Sequence, residues 1–307
     1  MQTSAGIGRV ILGCGNFGGV GSAPEFFGQG QSRDEAFSLM DAAWEAGIRH
    51  FDTADAYGGG RSEAVIGQWI AARGVRPALT TKTFNPMSAG ADYGLAPERI
   101  ARQLRDSLDR LGTGRIDLYL AHDFDARVPL ADTFAAFEAA VGEGKVDRYG
   151  VSNFVAAQLQ AALAAGRPSA VQNSYSLLTP EDGGLLALCA KRRVGYQAFG
   201  PLAGGWLTGK YRRGEPFPRR SRMTQRPEPY QRFVSPRTFA ALDRLGAAAA
   251  ERGRSMAGLA LAWLLADPRV THVVIGPGRP AHLAPVKEAL AHPLTAGERD
   301  EIERMVR

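Results

Sequence analysis

Short apolar runs alternate with amphipathic runs along nearly the whole of the 307-residue chain, and this restricts the fold more than any other feature. A short apolar run bounded by turn residues reads as a buried strand, and a longer run of helical period reads as its cover. Repeated, the pair gives βα units and a parallel sheet. Strands are expected at Val10–Leu12, Arg49–Asp52, Ala78–Lys82, Ile116–Ala121, Arg148–Ser152, Ala170–Asn173, Gly195–Phe199 and His272–Ile275. Helices are expected at Arg33–Ala46, Ser62–Arg73, Pro97–Leu111, Leu130–Glu143, Val155–Ala165, Asp182–Arg193, Pro236–Arg252 with Met256–Leu265, Pro280–Leu290, and finally Ala296–Met305. Ser32 ahead of an acidic first turn, Gly47 behind the first helix and Pro97 in a first turn are helix-boundary signals. Eight such units can close into a (β/α)8 TIM barrel, and an open doubly wound sheet is the competitor. We expect one α/β barrel domain over residues 1–307, with a long loop after strand 7 and an extra C-terminal helix. That loop, Leu202–Ser235, is too long for a plain connection and reads as a lid or binding loop.

Composition narrows the class. Cys14 and Cys189 lie far apart and make neither a disulfide framework nor metal spacing, so a reducing cytoplasm is expected. No signal-like start and no membrane-spanning apolar run are found, so no membrane partner is expected. The five histidines show no ligand spacing, so no metal is expected. The net charge is +6, but the arginines are scattered, which argues against nucleic acid. The exception runs from Lys210 to Arg213 and on through Arg219, Arg220, Arg222 and Arg226; it is a solvated loop or a site for a phosphate-bearing small ligand.

Gly13-Cys14-Gly15-Asn16-Phe17-Gly18 matches GxGxxG directly after a strand. A dinucleotide fingerprint needs a helix to open at once, and no helical period returns before Ser32. The run reads instead as a loop at the barrel top.

In such a barrel, reactive groups sit at the C-terminal ends of strands. Those ends carry Asp52, Lys82, His122, Ser152, Asn153, Gln172 and Phe199, with Tyr57 just past Asp52. Taken singly, Asp52 reads as a loop cap, Lys82 as a surface lysine, and His122 and Tyr57 as packing. Together they suit carbonyl reduction. A phenol near pKa 10 needs a cation to stabilise its phenolate, and Lys82, held by Asp52, would serve. His122 would orient the carbonyl oxygen.

At these residues the chain resembles the aldo-keto reductase superfamily over nearly its whole length. The motifs are Phe51-Asp52-Thr-Ala-Asp-Ala-Tyr57-Gly58, Thr81-Lys82, Asp117-Leu-Tyr-Leu-Ala-His122, and Gly144 through Gly150-Val-Ser152-Asn153-Phe154. Asn85-Pro-Met-Ser with Tyr93-Gly94-Leu95 is similar to the aryl-alcohol-dehydrogenase-like branch, and Ala198 through Tyr211 to the aflatoxin-aldehyde-reductase branch. The resemblance implies a catalytic tetrad of Asp52, Tyr57, Lys82 and His122. It implies carboxamide contacts from Ser152, Asn153 and Gln172, and stacking by Phe199 where the family has tyrosine. It implies a pyrophosphate-side loop of Pro201, Leu202, Gly204 and Lys210, with Asn16 on the cofactor side. Gly276, Gly278, Arg279 and His282 follow the last strand. There His282 and Val286 replace the usual Gln and Asn, while Arg279 can still pair with a 2′-phosphate.

NADP(H) rather than NAD is the cofactor implied, by family habit. A small carbonyl compound is the substrate, with Phe17, Phe124 and Trp206 on its side, and a monomer is the family's usual state. Two other classes stay open: a Schiff-base barrel lyase using Lys82, and a non-catalytic nicotinamide-binding partner protein.

Overall fold

Strands buried on both faces need helices on one side and each other on the other, and eight of them can do this without leaving an edge. The computed structural model describes residues 6–90 and 92–307. Its eight parallel strands pair in chain order, and the eighth pairs with the first in a closed barrel, which excludes the open sheet. The order is β1 (Val10–Gly13), α1 (Arg33–Glu45), β2 (His50–Asp52), α2 (Arg61–Arg73), β3 (Ala78–Thr83), α3 (Pro97–Leu111), β4 (Leu118–Ala121), α4 (Leu130–Gly142), β5 (Tyr149–Ser152), α5 (Ala156–Ala165) and β6 (Ala170–Ser174). It continues with α6 (Gly183–Arg192), β7 (Gly195–Phe199), the short α7 (Arg222–Gln225), α8 (Pro236–Glu251), α9 (Met256–Leu265), β8 (His272–Ile275), α10 (Ala284–Ala291) and α11 (Ala296–Val306).

Local chemistry explains the boundaries. Ser32 and Glu35 form a reciprocal capping box at the start of α1. Ile116 stands outside β4 and makes an isolated bridge to Val146. The helix expected from Pro280 begins as a 3-10 turn over Pro280–Leu283. Pro285 has no N–H to donate to Ala281, so the α-helical ladder starts only at α10.

Strand alternation sorts side chains between two environments. Phe51 and Tyr119 point outward, with ring centroids 5.2 Å from Trp69 on α2 and 5.2 Å from Phe137 on α4. His50, Asp52, Thr80 and Lys82 point into the barrel. His50 Nε2 lies 2.7 Å from Thr80 Oγ1, and its ring faces His272 across the lower end. Above them the inward row becomes Asp52 and Lys82.

The Leu202–Ser235 stretch has an apolar centre of its own. Trp206 is fully buried there, packed on Tyr211, Phe217, Phe233 and Phe239.

The C-terminal helix is tied on by a buried carboxylate. Asp267 accepts from Arg269 Nη2 at 2.7 Å and from Arg299 Nη2 of α11 at 2.8 Å. Burial opposes its ionisation, but the hydrogen bonds from Arg269 and the nearby Arg299 hold its pKa below the usual range. The stability this supplies is present above the ordinary carboxylate pKa and is lost as pH falls through the lowered native value. Asp267→Asn should lower the unfolding free energy by about 2–3 kcal/mol at neutral pH. The gap between variant and parent should narrow in acid, as read by urea titration at several pH values.

Candidate active site

Asp52 ends β2, Lys82 lies near the end of β3, and His122 follows β4, so one rim of the barrel presents all three. Tyr57 reaches them from the turn after β2. Three consecutive glycines with positive φ, Gly58 to Gly60, make that turn. A Cβ at Gly58 would lie 2.9 Å from the carbonyl oxygens of Phe17 and Gly18, so only glycine lets the turn sit against the β1 loop.

The Lys82 ammonium has three donors and three acceptors: Asp52 Oδ1 at 2.6 Å, the Thr53 carbonyl at 2.8 Å and Tyr57 Oη at 3.5 Å. Asp52 and Lys82 are buried, at 3% and 1% exposed. The Tyr57 and His122 rings meet edge to face, with centroids 5.5 Å apart. Burial lowers Lys82, yet Asp52 and then Tyr57 outweigh it and raise its pKa. Burial raises Tyr57, and Lys82 offsets this only in part. Lys82 lowers the phenol pKa as expected from the sequence, but in so closed a site desolvation outweighs it. Burial, and then Lys82, push His122 well below its ordinary value. The site therefore holds a neutral phenol, a charged ammonium and a neutral imidazole around one point.

Beside them, Gln172 Nε2 donates to Asp52 Oδ2 at 2.7 Å and to Gln197 Oε1 at 3.0 Å, so its amide N–H groups are engaged by the barrel interior. Ser152 Oγ donates to the Gln172 carbonyl at 2.8 Å. Asn153 has φ 60°, an uncommon region for a residue with a side chain, and its Nδ2 donates to the His122 carbonyl at 2.8 Å. Phe199 is half-buried at the end of β7.

A second set gathers where the β1, β7 and β8 loops meet. Arg222 of α7 donates to Asn16 Oδ1, which brings the long loop onto the β1 loop. The Lys210 pKa is lowered by burial and then by Arg222, and that of His282 by burial, Arg279 and Lys210. Among the described residues none of Lys210, Arg222 and Arg279 is in an ion pair. Gly205, at φ 96°, accommodates Lys210: a Cβ there would lie 2.5 Å from Nζ. Gly204 likewise passes under the Tyr230 ring, next to half-buried Leu202 and buried Pro201. Gly276, Gly278 and Arg279 are exposed, and the Gly278 N–H donates to His282 Nδ1 at 3.1 Å. Val286 is buried on α10 and offers nothing to a ligand. Cations with no carboxylate partner beside a glycine turn fit a diphosphate-bearing cofactor.

The substrate side differs from the sequence-based expectation. Phe17 and Trp206 are both fully buried in packing and present no face to the mouth. Phe124 is half-buried, edge to face on Phe154 at 5.4 Å. Phe84 carries no motif in the sequence, yet it lies two residues past Lys82 and the strand period puts it on the same side; its ring packs on Tyr93 at 5.9 Å. In the sequence Arg222 is only one member of a basic run, because the fold that brings it to Asn16 is tertiary. Among the described residues no cluster of His, Cys, Asp and Glu could hold a metal, and no helix is long and apolar enough to cross a membrane.

The family model of the Aldo/keto reductase family matches residues 9–307. The chain is 34% identical over 297 residues to an uncharacterized oxidoreductase, YrpG, of Bacillus subtilis (strain 168), covering 90% of this chain and 85% of that one. It is 32% identical over 283 residues to the L-glyceraldehyde 3-phosphate reductase of Escherichia coli (strain K12), covering 86% and 81%. The glycerol dehydrogenase structure from Gluconobacter oxydans superposes with a TM-score of 0.82 at 26% identity, covering 97% of this chain and 91% of that one. Closed barrel, rim constellation and sequence likeness over nearly the full length agree: this chain belongs to the aldo/keto reductase family, oxidoreductases that act on carbonyl compounds.

Proposed function

We propose that this protein reduces an aldehyde or ketone to an alcohol with NADPH, and that Tyr57 gives up the proton. The observation that supports this best is the Lys82 ammonium shared between Asp52, the Thr53 carbonyl and Tyr57 Oη. The nicotinamide, when bound, supplies the hydride. His122, a neutral imidazole, hydrogen-bonds the carbonyl oxygen and sets it beside Tyr57 Oη. As charge develops on that oxygen the phenol proton moves to it. Lys82 steadies the phenolate left behind, and Asp52 keeps Lys82 charged and aimed. Ser152, Asn153, Gln172 and Phe199 hold the nicotinamide half; Asn16, Pro201, Leu202, Gly204, Lys210, Gly276, Gly278, Arg279 and His282 hold the phosphate half, and Arg222 joins them. Phe84 and Phe124 line the substrate side. In this reading the protein acts as a monomer in a reducing cytoplasm.

An ammonium saturated by three acceptors is a poor amine nucleophile, which works against the Schiff-base reading. Lys210, Arg222 and Arg279, none of which has a carboxylate partner among the described residues, favour NADP over NAD. Arg279→Ala should raise the apparent constant for NADPH roughly 10- to 100-fold and that for NADH far less; equal effects would remove the 2′-phosphate role.

The deciding experiment is fluorescence titration with NADPH and NADH, then NADPH oxidation on aryl aldehydes, keto-sugars and L-glyceraldehyde 3-phosphate. Tight NADPH binding with turnover is expected. Binding without turnover on any of them would favour a partner-type role, and absence of binding would overturn the proposal.

A further inference from the structure

Burial leaves His122 neutral, and a neutral imidazole has two forms with opposite uses. With the proton on Nε2 it donates to a carbonyl oxygen; with the proton on Nδ1 it presents a lone pair and repels that oxygen. Within the site, the one side-chain group bonded to its ring among the described residues is Asn85, whose Nδ2 lies 3.2 Å from His122 Nδ1. An amide nitrogen only donates, so Nδ1 must be the acceptor.

The backbone around Asn85 is unusually constrained. Pro86 follows it and disfavours the helical region for residue 85. The Asn85 carbonyl accepts from Arg99 Nη2 at 2.8 Å. Arg99 is itself buried, at 3% exposed, and its Nη1 donates to Thr83 Oγ1 at 2.7 Å and to the Gly94 carbonyl at 3.0 Å. This guanidinium clamps both ends of the β3–α3 loop and sets where the Asn85 amide can reach. On the other side, Asn153 Nδ2 holds the His122 backbone carbonyl.

We infer that Asn85 is a positioning residue that fixes His122 in the Nε2-protonated form, aiming a hydrogen-bond donor at the substrate oxygen beside Tyr57. This rests on the proposed carbonyl reduction for its use, but the tautomer can be read without turnover. The Asn-Pro-Met-Ser run thereby gains a role in the chemistry.

The test is long-range proton–nitrogen NMR of the full chain labelled with 15N-histidine, with the His122 signals assigned by their loss in His122→Gln. The parent protein should show a protonated Nε2 and a bare Nδ1. Asn85→Asp offers an acceptor instead of a donor and should move the proton onto Nδ1. Its kcat should fall on the order of 100-fold, with cofactor affinity held. A protonated Nδ1 in the parent protein would overturn the inference, even without any variant in hand. So would an unchanged His122 pattern in Asn85→Asp. If the parent shows the expected tautomer but no carbonyl compound turns over, the proposed reaction fails and the tautomer assignment stands.

Discussion

Tyr57→Phe is expected to lower kcat roughly 10²–10⁴-fold while leaving the dissociation constant for NADPH nearly unchanged. The substitution removes one oxygen and keeps the ring, so the edge-to-face contact with His122 persists. The lost oxygen is the group Lys82 faces at 3.5 Å, and with it goes the proton for the forming alkoxide. Burial already holds the phenol protonated at neutral pH, so the parent donor is present before the reaction starts. Lys82 acts afterwards, when the phenolate forms and the site must hold a negative charge away from water. Single-turnover oxidation of bound NADPH separates this step from product release. Full turnover in the variant would remove Tyr57 as the acid. A rise in the cofactor constant comparable to the loss in rate would mean that the ring, not the hydroxyl, had been disturbed.

Lys82→Met should cost both activity and stability. Methionine approximates the lysine stem, but Asp52 is then left buried without its cation. Gln172 remains as a donor at 2.7 Å. Removing one partner of a buried pair typically costs about 3–5 kcal/mol, because an uncompensated charge stays behind. Adding Asp52→Asn should therefore recover much of the stability and none of the activity. Chemical denaturation of the two single variants and the double variant, with rates measured in parallel, makes the check. Additive losses in stability would show that the pair is not coupled. Recovery of activity in the double variant would mean that neither charge serves the reaction.

Much of this was legible from the residues. Eight apolar runs, each followed by an amphipathic one, determine a parallel α/β fold, because each run must be buried on both faces and its helix on only one. The strand ends were readable for the same reason: the period of two that hides Phe51 exposes Asp52 to the barrel interior, and the next strand does the same for Lys82. No helix opens directly after the GxGxxG run, which makes it a loop at the barrel top.

What only the tertiary structure decided are the relations between loops. Trp206 and Phe17 look like mouth aromatics in sequence, yet both are buried, Trp206 because the long loop closes around it together with Phe239 of α8. Arg222 meets Asn16 across 206 positions, and Asn85 meets His122 from a neighbouring unit. Periodicity reports which face of an element is buried, a local property of solvation. Which donor meets which acceptor across two loops depends on closing the barrel, and no local period in the chain encodes that distance.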